Sequence, residues 1–190
     1  MLDNVQAKKG EAGMVRSLYL ALILLLFTSA AGLTQPASPD PSIAAIDSAR
    51  AATIAALKGA PLGFRRILFV TEAPGGFAIY DPRPNDVFKP GEPLIVYTEP
   101  VGITWQQDGD KVSSKLVVDF QVRSPDGQVL GGQNGFGEFA LTTREPPIDY
   151  IAHVTINLTG APAGAYVLGL TVHDTNSGKT ASADLPFEIK

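Results

Sequence analysis

Cysteine is absent from the 190-residue chain. That excludes disulfide staples, thiolate metal ligands and a cysteine nucleophile. It also excludes a lipoprotein anchor, which needs a cysteine at the cleavage point. A domain without bridges must rest on packing alone. A basic stripe is missing as well. The formal net charge is −4, and beyond residue 31 the only adjacent bases are Arg65 and Arg66. A phosphate backbone recruits clustered cations, so nucleic acid is not an expected partner. Anionic membrane surfaces are disfavoured on the same grounds of sign.

Local catalytic signatures are also lacking. There is no Gly-x-Ser-x-Gly elbow for a serine nucleophile and no His-Glu-x-x-His for zinc. Histidine occurs twice, as His153 and His173. Each alternates with an apolar neighbour, Val154 or Val172, and so takes the outward phase of a strand. On consecutive strands across a sandwich corner they would belong to different sheets, which excludes a shared metal site. No cofactor is expected.

What the chain does have begins with an apolar run, Leu18–Phe27, followed by small residues at 28–31. Ser29 and Ala31 fit a small-x-small cleavage pattern, so residues 1–31 read as a signal peptide cut after Ala31. Translation from Met14 would leave only Met-Val-Arg-Ser ahead of the run, which makes Met14 the expected true start. The strongly apolar part is shorter than the roughly 20 residues of a spanning helix. Membrane attachment is therefore expected only if the leader stays uncleaved. Residues 32–39 are polar and proline-rich and read as a tether. From Asp40 to Lys58 the pattern is helical. Asp40 stands as N-cap before Pro41, Ile43, Ile46, Ile54 and Leu57 share a stripe, and Gly59 and Pro61 stop the run.

From residue 63 the periodicity changes to two. Strands are expected at 64–71, 77–80, 94–99, 116–123, 128–130, 139–141, 150–158, 165–174 and 179–190. Stiff or polar loops separate them at 81–86, 106–111 and 143–149. The glycine-rich stretch 131–137 is expected to be a flexible hairpin or bulge. A phosphate cradle would need a helix after it, and Phe136 to Leu141 reads as strand. Closely spaced short strands without interleaved helices predict an all-β sandwich or small barrel.

Pro162, Gly164, Tyr166, Leu168, Leu170, Val172, Asp174, Ser177, Gly178 and Lys179 form a turn, an alternating strand and a hairpin. With Phe88, Pro90, Gly91, Glu92, Leu94 and Tyr97, they carry a resemblance. The chain from Phe64 to Lys190 resembles the immunoglobulin-like β-sandwich domains of uncharacterised exported bacterial proteins. The resemblance implies an antiparallel sandwich of about seven to nine strands, preceded here by the signal peptide and a short α-helix. The organisation expected is thus 1–31 leader, 32–62 tether and helix, and 63–190 sandwich. The cysteine pair of antibody domains is missing, so no antibody property carries over.

The candidate binding residues are Trp105, Tyr97, Asp108 and Asp110. Trp105 and Tyr97 lie in or beside an irregular stretch, where an aromatic can anchor a partner, although filling the core is the commoner use. Asp108 and Asp110 flank Gly109. Two carboxylates on one turn could contribute to a calcium site, but the ligand set is incomplete, so a solvated turn is expected. Glu99 and Asp119 lie on strands with no partner that the sequence can place. Asn157-Leu158-Thr159 matches a glycosylation triplet but sits in an expected strand. The expectation is an exported, periplasmic or secreted module without catalysis that contacts another envelope or secreted protein. A carbohydrate-binding or accessory module of the envelope is the alternative, and an enzyme with a site formed only in three dimensions comes third.

Overall fold

The computed structural model describes residues 40–190. The leader, its cleavage point, Met14 and the tether lie outside that range. Among the described residues, one helix, α1 (Pro41–Gly59), precedes nine strands. The Asp40 side chain accepts from the Ser42 N–H at 2.8 Å, and Pro41 costs nothing at the first helical position because its missing N–H would have no intrahelical partner. No helical residue is buried. Only Ile54 and Leu57 of the apolar stripe are half-buried, while Ile43 and Ile46 face solvent. Among the described residues, no helix is long and apolar enough to cross a membrane.

The strands are β1 (Gly63–Phe69), β2 (Val87–Phe88), β3 (Leu94–Val101), β4 (Gln106–Asp108), β5 (Lys111–Arg123), β6 (Val129–Thr143), β7 (Ala152–Ile156), β8 (Gly164–Asp174) and β9 (Thr180–Ile189). A three-stranded antiparallel sheet runs β1-β3-β7. A six-stranded sheet runs β2-β9-β8-β5-β4, with β6 on the other side of β5. The chain is therefore mostly β, as expected. One pairing departs from the antiparallel expectation, since β2 runs parallel to β9 over two residues.

Alternation places one face of each sheet in a common core. Val96 and Val154 come from the smaller sheet, and Leu116, Val118, Leu168 and Leu170 from the larger. Phe69, Phe88 and Phe187 meet edge to face at one end, with centroids 5.0–6.2 Å apart. Tyr166 stacks on Phe187, and its hydroxyl donates to the Pro162 carbonyl at 2.7 Å. The ring fills the core while the hydroxyl satisfies a backbone acceptor.

Three local expectations are corrected. In place of a strand at 77–80, residues 76–79 form a tight turn in which Ala78 adopts a φ of 57°, held by its N–H donating to the Tyr97 hydroxyl. The polar stretch 106–111 is a β-hairpin, β4 to β5, closed by the two residues Gly109-Asp110. Finally, residues 129–143 form one strand where two short strands were expected, and the glycine-rich stretch between them holds the bulge, not the hairpin, of the two forms expected there. β5 supplies its register from Val112 to Arg123 and leaves residues 134–136 as a bulge opposite Asp119. Glycine at 132 permits this close pairing, because a Cβ there would lie 2.4 Å from the Phe120 carbonyl oxygen.

Candidate functional site

One cavity among the described residues measures about 330 Å³. The second half of α1 contributes Ile54, Leu57 and Lys58, the 100–105 segment contributes Ile103, Thr104 and Trp105, and the β6–β7 loop contributes Pro146, Pro147 and Tyr150. Its size falls near the lower end of small-ligand pockets, roughly 300–1,000 Å³. A shallower groove adjoins it along α1, where Arg50 Nε stands 3.6 Å from Glu145 Oε2.

Trp105 is half-buried and meets Tyr150 edge to face, with centroids 6.3 Å apart and planes at 69°. Two polar groups hold its segment, one of them buried. Asp174 is 0% exposed and accepts from the Thr104 N–H and the Ser177 hydroxyl, each at 2.8 Å, and from the Asn176 N–H at 3.0 Å. The Asn176 amide returns hydrogen bonds to the Thr104 and Ser113 carbonyls at 3.0 and 2.9 Å. The turn after β8 thus clamps the backbone beside Trp105 to β5, so the ring projects from a fixed base. The Tyr150 hydroxyl reaches the Phe139 carbonyl at 3.4 Å, and burial pushes its ionisation above the ordinary tyrosine range. The surface offered is a fixed, mostly apolar recess with Lys58, Thr104 and Gln107 as its polar members.

The four sequence candidates do not converge. Trp105 lines the cavity, but Tyr97 is fully buried elsewhere. Its ring stacks on Tyr80 with centroids 4.2 Å apart, and its hydroxyl donates to Glu99 at 2.8 Å. Burial, then the Glu99 carboxylate, raises its ionisation against the opposing Ala78 N–H bond. Asp108 is exposed on the β4–β5 hairpin, and the exposed Asp110 accepts from Arg144 at 2.6 Å. Among the described residues, no three His, Cys, Asp or Glu side chains are placed to hold a metal.

The two strand carboxylates do have partners that sequence reasoning missed. Glu99 is buried and accepts from Arg65 at 2.8 Å, with Arg66 3.7 Å away. The adjacent arginines were visible, but the β1–β3 register that brings them to Glu99 was not. Asp119 accepts from the Gly135 N–H at 2.7 Å and lies 2.7 Å from His173 Nε2. The two histidines stand on different sheets, on β7 and β8.

No family model matches the chain, and no curated protein does. Similar solved structures include the Pseudomonas fluorescens alkylpurine DNA glycosylase AlkC, at 14% identity and a TM-score of 0.39, over 71% of this chain and 32% of that one. Another is a CARDB domain from Pyrococcus furiosus in complex with di-metal ions, at 14% identity and a TM-score of 0.32, covering 68% of this chain and 86% of that one. A third is the superoxide reductase neelaredoxin from Ignicoccus hospitalis, at 14% identity and a TM-score of 0.30, covering 67% and 82%. This chain spans about a third of the glycosylase. At these scores none of the three assigns a fold family or a function.

Proposed function

We propose that this chain is an exported, non-catalytic binding module, an immunoglobulin-like β-sandwich whose Trp105 cavity receives apolar side chains of a protein partner. The observation that carries the reading is the lining itself. Prolines, aliphatic side chains of α1 and two aromatic rings surround a recess with few polar members. Such a surface gains by removing apolar area from water and offers little to a ligand rich in hydroxyl groups. A Trp in a surface groove is also what a carbohydrate module would use. Against that alternative, the Trp105 and Tyr150 planes stand at 69° and form no coplanar platform for a sugar ring. Export rests on the leader-like residues 1–31, and an envelope or secreted partner follows from it.

Trp105 is the only tryptophan in the chain, so its fluorescence reports on the cavity alone. The test titrates the full chain with a panel of short apolar, proline-containing peptides and, separately, with soluble oligosaccharides. We expect saturable changes in Trp105 emission with peptides, weakened about tenfold by Leu57→Asp, which puts a charge into the lining. A response to oligosaccharides alone, or to neither panel, overturns the reading.

A further inference from the structure

The sheets of this protein end in edges of two kinds. β1 carries Arg65 and Arg66, and β9 beyond its short pairing with β2 carries Asp184 and Pro186. β4 and β7 are only three and five residues long. Charge, proline and brevity are the devices that stop a strand edge from pairing with another chain. β6 lacks them. It is 15 residues long, pairs only with β5 among the described residues, and contains no lysine, arginine or proline. Its one charge, Glu138, is engaged by Lys115 of β5 at 2.7 Å. The bulge at 134–136 divides it but leaves residues 137–143 in unbroken register.

We infer that residues 137–143 of β6 pair antiparallel with the same residues of a second copy of this chain, joining two six-stranded sheets into one. The sequence of this segment is complementary to itself about Ala140. A two-fold axis there sets Ala140 opposite Ala140, Phe139 opposite Leu141, and Glu138 opposite Thr142. No like charges meet, and each copy gains an aromatic–aliphatic cross-strand pair. Leu141 is 37% exposed, and Phe139 is half-buried beside it on the same face. The second copy's Phe139 would cover that Leu141, and the reverse holds by symmetry. An axis one residue away, at Phe139, would set Glu138 against Ala140 and leave Leu141 facing Gly137. Of these two axes, the one at Ala140 uses the exposed leucine.

The absence of cysteine gives a test without background. In the full chain, kept soluble by a non-ionic detergent, Ala140→Cys places two thiols across the axis. Directly opposed Cβ atoms in such a pair lie about 4.5–5.5 Å apart, close to disulfide reach. Thr143→Cys places them roughly 20 Å apart at about 3.4 Å per residue. We expect mild oxidation to convert the Ala140→Cys chain to a covalent dimer and to leave the Thr143→Cys chain monomeric. Sedimentation of the unsubstituted chain should show a concentration-dependent dimer. Leu141→Lys should weaken that dimer about tenfold, since it removes two cross-strand pairs and adds a charge to the edge. Leu141 is exposed, so circular dichroism, and melting at concentrations too low for the dimer to form, should be unchanged in this variant. A chain that stays monomeric at every concentration, or cross-linking as fast through position 143 as through 140, overturns the inference. Edge pairing with some other extended protein would give the first of these results.

Discussion

Asp119 shows how much a single side chain can organise here. Its carboxylate spans three strands, taking the Gly135 N–H of β6 on one oxygen and His173 of β8 on the other. The Gly135 N–H, followed by His173, holds the carboxyl below its ordinary value of 3.8 despite partial burial. A carboxylate whose folded pKa is depressed contributes stability above its unfolded pKa and loses it as pH falls through the folded value. The bulge at 134–136 should therefore loosen below about pH 4, the ordinary aspartate range. We expect the stability of the unsubstituted chain to fall more steeply between neutral and strongly acid pH than that of Asp119→Asn, with Gly135 amide exchange accelerating in the same window. Equal slopes for the two proteins would show that the carboxylate is not the anchor. None of this could be read from residues 115–123 alone. The strand around Asp119 was legible, but its partners arrive from 16 and 54 residues away through strand register.

At the scale of elements, what was legible depended on whether the signal is local. α1 was readable because its signals are all short-range. Asp40, Pro41 and Gly59 bound a helix at the expected residues. β5 and β8 were readable because strict alternation of burial survives along them. β6 was not, because its glycines and polar residues carry no period and its extension is imposed by hydrogen bonding to β5. The helix, though correctly placed, does not bury the stripe that its spacing predicted. Ile46 is 65% exposed, and the apolar contact with the β-domain is made by the end holding Ile54 and Leu57. Burial stabilises by area removed from water, so the first two turns should contribute little to the fold. We expect Ile46→Lys to change stability by no more than about 0.5 kcal/mol in denaturant titration, as for an ordinary surface substitution. A larger loss would mean that the stripe is covered.

Across the whole molecule, the cavity depends on a junction where segments far apart in sequence cross. The chain leaves α1 through Ala60 and Pro61 and passes directly against Gly102. Lys179 Nζ donates to the Ala60 and Gly102 carbonyls from the hairpin after β8, at 3.3 and 3.4 Å. Gly102 has a φ of +75°, and a Cβ there would lie 2.0 Å from the Pro61 carbonyl oxygen. Two separate costs would follow from adding a side chain, a left-handed backbone and a collision with main chain that cannot rotate away. Gly109 separates them. It also has a positive φ, +58°, but nothing lies within 4 Å of its Cβ position. Gly109→Ala should therefore show the conformational cost alone, about 1 kcal/mol, while Gly102→Ala should lose about 2 kcal/mol or more. The second loss should also carry a signature that the first lacks. Forcing residues 60–62 away from 101–103 moves the root of α1 and the segment bearing Trp105 together, so the emission of the folded protein should change in Gly102→Ala and not in Gly109→Ala. Equal destabilisation with unchanged emission in both variants would mean that the helix root and the Trp105 segment are not mechanically joined, and that the cavity does not depend on their contact.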